Sequence, residues 1–204
     1  MNAKLLFKHF AVLKVCMVVA ILAVCFAIPG CSSSKNIENF YSITIDGTDI
    51  IVGETTLDAL YEAGYSILNP RGEFSNLEEI AADCELEANA AFNQLYVRKD
   101  NINFAELTII TGEAEAPASE AVIARVVVCG SDEISKISFN GVAVDDLTIE
   151  MLEAYLPGAE IDEIGDNASL VRFIEQDLSI FIYYKDGTPA ELEIRVFYDV
   201  TYSP

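Results

Sequence analysis

Three groups of residues in this chain have types and spacing suited to chemistry. They are two cysteines, Cys84 and Cys129; the acids Glu160, Asp162, Glu163 and Asp166 beside Asn167; and an aromatic set around one arginine, Phe181, Tyr183, Arg195 and Phe197. A cysteine pair in an oxidising compartment forms a disulfide or stays as two separately buried thiols, and spacing alone leaves both open. The acids suit a hard cation such as calcium outside a cell. They lack the ligand spacing of an EF-hand loop, so a solvated loop accounts for them, and no metal or cofactor is expected. Paired carboxylates can also hydrolyse a glycosidic bond if they flank it at about 5–9.5 Å. Here 33 acids are scattered along the chain, and small modules offer no deep cleft. The expectation is therefore no enzyme. Aromatics beside an arginine are the residue types enriched at binding hot spots.

Composition narrows the classes further. Residues 1–30 contain Lys4, Lys8, His9 and Lys14 and no acid. Removing those three of the 12 basic residues leaves 9 against 33 acids beyond Gly30, a formal charge of −24 with no histidine. A histidine-free body excludes Ser-His-Asp and Cys-His mechanisms and lacks the commonest ligand for zinc or haem. Such an acidic body also repels phosphates, which argues against nucleic acid and against docking on anionic lipid.

Val15 to Ile28 is an unbroken apolar run after a lysine-bearing start, followed by Pro29-Gly30-Cys31. This is the plan of a secretory signal over 1–30. As a helix the run spans about 21 Å, short of the roughly 30 Å of a hydrocarbon core; a retained anchor needs the span to slide back over Lys14. Ile28-Pro29-Gly30-Cys31 resembles the lipobox of bacterial lipoproteins. The resemblance implies that Cys31 is lipidated and becomes the new N-terminus. Ser32-Ser33-Ser34-Lys35 supplies a flexible tether within 31–37. The expected location is the cell envelope, anchored on the outer side of the cytoplasmic membrane.

The elements that position these residues read as a weak repeat. Ile43-Thr44-Ile45-Asp46-Gly47 matches Ile137-Ser138-Phe139-Asn140-Gly141, and each runs into an Asp-Gly or Asn-Gly hairpin turn. Short strands follow at Ile50-Ile51-Val52 and Val142-Ala143-Val144. Helices then start at Thr55-Thr56 and Thr148, with stops at Gly64 and Pro157-Gly158. A second pair matches Ala105-Glu106-Leu107-Thr108-Ile109 with Ala190-Glu191-Leu192-Glu193-Ile194. Val122–Val128 reads as the strand closing the first copy, residues 112–121 as an exposed acidic loop, and 192–202 as one alternating strand.

The expected fold is α+β: two tandem helix-on-antiparallel-sheet modules, ββαβββ-like, over 38–131 and 132–204. With its signal, lipobox, tether and I-x-[IF]-[DN]-G hairpins, the chain resembles surface lipoproteins of Gram-positive bacteria. Its second module resembles the helix-plus-sheet unit of β-lactamase inhibitor proteins and of small outer-membrane assembly lipoproteins. Those families imply a lipid-anchored extracellular binding or scaffold protein that contacts an envelope protein through one sheet face. The alternative is a calcium-dependent or carbohydrate-directed surface protein. On one face of the last strand lie Arg195 and Phe197, which with Phe181 or Tyr183 form the candidate surface; it either meets a partner or packs against the first module.

Overall fold

The computed structural model describes residues 42–70, 77–129 and 136–198, and the backbone of 201–202. The expected signal segment, Cys31 and the tether lie outside the described residues. In chain order the strands are β1 (Ser42–Ile45), β2 (Thr48–Ile51), β3 (Ser66–Pro70), β4 (Leu77–Ile80), β5 (Glu85–Leu86), β6 (Ala90–Lys99), β7 (Ile102–Ile110), β8 (Ala116–Pro117), β9 (Val122–Cys129), β10 (Ile137–Phe139), β11 (Val142–Ala143), β12 (Glu160–Gly165), β13 (Ala168–Glu175), β14 (Leu178–Lys185), β15 (Thr188–Val196) and β16 (Thr201–Tyr202). Helix α1 (Asp58–Glu62) follows β2, and α2 (Ile149–Tyr155) precedes β12.

The turns that the sequence marks are formed. Asp46 and Gly47, Asn140 and Gly141, and Asp186 and Gly187 all have positive φ, the backbone that two-residue hairpins require. Three of the four β1 residues lie opposite one in β10: Ile43 faces Phe139, Thr44 faces Ser138 and Ile45 faces Ile137. The two matched hairpins therefore join side by side in a four-stranded sheet of order β11-β10-β1-β2. All four apolar residues of this seam are fully buried.

The expected α+β arrangement of two tandem modules is overturned. The structure is mostly β: among the described residues 59% are strand and 13% helical. The stop signals explain why the helices stay minor, since α1 has five residues and α2 seven, each burying a single side chain, Leu60 or Leu152. Thr148 caps α2 as the sequence suggests, accepting from the Met151 amide. Thr55 instead accepts from the Ile51 amide, and α1 starts at Asp58 with Leu57 at its N-cap position and no side-chain cap. The larger reason is β9. Its residues are mostly buried, so its apolar character extends to both faces and an edge position would expose it. Rather than closing a first module, β9 sits inside a ten-stranded sheet of order β12-β13-β14-β15-β9-β7-β6-β3-β4, with β16 beside β6. Residues from both expected modules thus share each large sheet, and 38–204 forms one compact unit.

Two further expectations are corrected. Residues 112–121 are not simply an open acidic loop: β8 pairs with β5, and Ala118 and Ala121 are buried. The alternating strand over 192–202 is broken, because β15 ends at Val196 and β16 pairs in parallel with Ala90 and Ala91.

Tyrosines tie the layers together. Tyr65 donates to the Ile45 carbonyl (2.9 Å), Tyr184 to that of Leu147 (3.0 Å) and Tyr61 to that of Ile80 (3.0 Å). Burial, with the nearby Glu150 carboxylate, pushes the Tyr184 phenol up to about 12 from its ordinary 10.0. Burial also takes Tyr61 to about 12, aided by Cys84 and Glu79. The fold therefore favours the neutral phenols, and their contribution is complete below the unfolded value and lost as pH rises through the folded one. Urea midpoints are expected to fall between about pH 10 and pH 12, with a shallower fall in Tyr184→Phe. A wild-type midpoint that stays flat across that window contradicts this.

Candidate functional site

The site lies on the face of the large sheet opposite the core. In β9, Val126 and Val128 point into the core against Leu107, Leu192 and Ile194. Alternation sends Arg125 and Val127 to the other face. Register places Glu106 of β7 and Glu193 of β15 on either side of Val127. Arg125 bridges them, with Nη1 at 2.9 Å from Glu106 and Nε at 2.9 Å from Glu193; its Nη2 donates to the second Glu193 oxygen at 3.4 Å. Burial works against the charge on Arg125, but the bonds to Glu193 and Glu106 outweigh it and hold the guanidinium above its ordinary value. The bridge spans Val127, only 4% exposed although it faces away from the core.

One strand over, Arg195 donates from Nε to Ser179 Oγ at 2.9 Å. Its guanidinium carbon lies 5.2 Å from the Phe181 ring centre and 4.8 Å from that of Phe197. Both distances are within cation–π range. Three of the four surface residues expected from sequence are thus brought together around one cation. Tyr183 lies two residues further along β14, half-buried between Leu170 and Glu191 in register, and is not part of the stack. Phe197 is 53% exposed, so the stack faces solvent.

Next to the stack is a groove of about 300 Å³. Its floor is a small apolar cluster of Ala91, Ile110 and Ala124, separate from the main core. Asn93 and Thr108 line one wall, where the Thr108 hydroxyl donates to Asn93 Oδ1 at 3.0 Å. The rim is Phe197 and Tyr198. Tyr198 is pinned by a 2.8 Å bond to the Gly53 carbonyl. Gly53 has φ +95°, and a Cβ there would lie 3.1 Å from both Val196 and the Tyr198 hydroxyl, so glycine allows this close approach.

Sequence reading missed Arg125, Asn93, Thr108 and Ser179. Arg125 carried a signal, as the lone charge in an otherwise apolar run, VIARVVVC. Asn93 carried none, because it is aimed by a bulge between Phe92 and Leu95 in which Gln94 takes φ +58°.

The other candidates are dispersed. Glu160 and Asp162 pair with Arg172 at 2.6 and 3.3 Å. Glu163, Asp166 and Asn167 border a cleft of about 690 Å³ with Glu150 and Asp186. Among the described residues, no three His, Cys, Asp or Glu side chains gather as a metal-binding group. Cys84 and Cys129 are both free thiols at the surface. Loss of water around Cys129, with the Glu191 carboxylate beside it, pushes that thiol up to about 11.

Removing the clamp leaves Glu106 without its cation and Glu193 with Arg195 alone, at 3.6 Å. Arg125→Ala is expected to cost about 1–3 kcal/mol in urea unfolding, and adding Glu106→Gln and Glu193→Gln should recover much of it. A single variant within about 0.5 kcal/mol of wild type contradicts the clamp.

Comparison with protein-family models, with curated proteins and with solved structures gives no match for this chain.

Proposed function

We propose that the chain is a lipid-anchored extracellular protein that binds an envelope protein through the open face of its large sheet and performs no catalysis. The observation that carries this reading is Arg195 held between Phe181 and an exposed Phe197, on the face turned away from the core. A stacked guanidinium loses little freedom on binding, and aromatic and arginine anchors dominate contact energies. The anchoring half of the reading rests on the lysine-bearing start, the apolar run over 15–28 and Gly30-Cys31. Two or three acyl chains hold a protein where a single chain gives marginal binding.

Capture from the host's own envelope fraction tests the surface. The full chain is expected to retain a defined protein that Arg195→Glu combined with Phe197→Ala loses, while equal capture by both forms contradicts the reading. For the anchor, Cys31→Ser is expected to move the protein from the detergent-rich to the aqueous phase. A variant that partitions as the wild type does contradicts lipidation.

A further inference from the structure

We infer that the groove beside Arg195 binds a carboxylate carried on a small apolar body. The inference rests on reading this face as the binding surface and names what the groove itself accepts.

Hydrogen-bond accounting carries it. Arg125 spends its Nε, Nη1 and Nη2 groups on Glu193 and Glu106, which occupies both oxygens of Glu193 and one of Glu106, an acid that does not line the groove. The Thr108 hydroxyl is spent on Asn93, and the Tyr198 hydroxyl on Gly53. Two donor groups on the groove wall are left. Arg195 spends Nε on Ser179, its Nη1 lies 3.6 Å from Glu193, and its Nη2 has no hydrogen-bond partner among the described residues. Asn93 accepts through Oδ1, and its Nδ2 has no partner among the described residues. The groove therefore offers unspent donors and no unspent carboxylate, and an acceptor ligand matches it.

Geometry selects which acceptor. The Nη2 donor of a guanidinium held by Ser179, by Glu193 and by rings at 4.8 and 5.2 Å gives a carboxylate one charge-assisted hydrogen bond, and Asn93 Nδ2 is the second unspent donor. With 33 acids against 12 basic residues in the chain, the surrounding field disfavours ligands of higher negative charge. The floor of Ala91, Ile110 and Ala124 takes an apolar body, and about 300 Å³ limits it to roughly one residue. The bulge at Asn93 is an independent pointer. A non-glycine residue at φ +58° inside a strand is costly backbone, and such bulges re-aim side chains at functional sites. A free small acid and the C-terminal residue of a partner chain share this chemistry.

The test is an NMR titration of the full chain in detergent, reading the Arg195 Nε–H and Asn93 Nδ2 signals. The probes are N-acetylalanine, its uncharged amide, and a peptide ending in alanine with a free or an amidated C-terminus. Both acids are expected to shift both signals saturably and the amides to leave them unmoved. Tighter binding by the free-ended peptide assigns the ligand to a chain terminus; equal binding assigns it to a small acid. Arg195→Gln and Asn93→Ala are each expected to weaken binding by about tenfold or more. Asn93→Ala leaves the Arg125 clamp and both phenylalanines in place, so its effect separates loss of the groove from loss of the fold. Equal shifts by acid and amide, no shift by either acid, or unchanged affinity in Asn93→Ala overturns the inference. If the acids fail to bind while the Arg195 and Phe197 changes still abolish envelope capture, the carboxylate inference falls and the surface reading stands.

Discussion

Strand β9 pairs on both sides, with β7 through Leu107 opposite Val126 and with β15 through Ile194 opposite the same residue. Nearly everything else in the molecule depends on that double pairing. An apolar run of this kind, buried on both faces, has no stable place at a sheet edge or on the surface. It draws the strands before and after it into one sheet. The small sheet repeats the logic through β1 and β10, whose matched residues face each other across a buried seam.

The same constraint creates the surface chemistry. A strand flanked on both sides must present every second residue to the outer face, and at position 125 that residue is arginine. Its neighbours across the ladder are strands with acids in register beside Val127, so the charge is neutralised on both sides and covers an apolar position. Arg195 occupies the adjacent ladder position, opposite Arg125 in register. It shares Glu193 with Arg125 at 3.6 Å, and turns its Nε to Ser179 and its face to two aromatic rings. Two arginines side by side thus reach different ends: one closes the sheet surface, the other remains presented on it.

Much of the local structure was legible in the chain. Asp46-Gly47 and Asn140-Gly141 name their turns because few other residues tolerate that backbone. Thr148 marks a cap that forms, and the alternation from Leu192 to Val196 separates the two faces of β15. What could not be read was partnership. Nothing local says whether Val122–Cys129 ends one sheet or joins two, and that ambiguity separated an expected pair of α+β modules from a mostly-β body. Thr55 shows the same limit, since its hydroxyl serves the Ile51 amide rather than a helix. In the site, Phe181, Arg195 and Phe197 were readable from periodicity and residue type. Asn93 was not, because a bulge changes which way a side chain faces without leaving a pattern in the sequence.

Native-state hydrogen exchange tests most directly whether β9 makes one body of these strands. The amides of Val126, Ile194, Ile45 and Phe139 are predicted to exchange only through a common global opening, with the same free energy and the same denaturant dependence. Exchange of residues 136–196 through a separate opening of lower energy, with β6 and β7 still protected, would contradict the account.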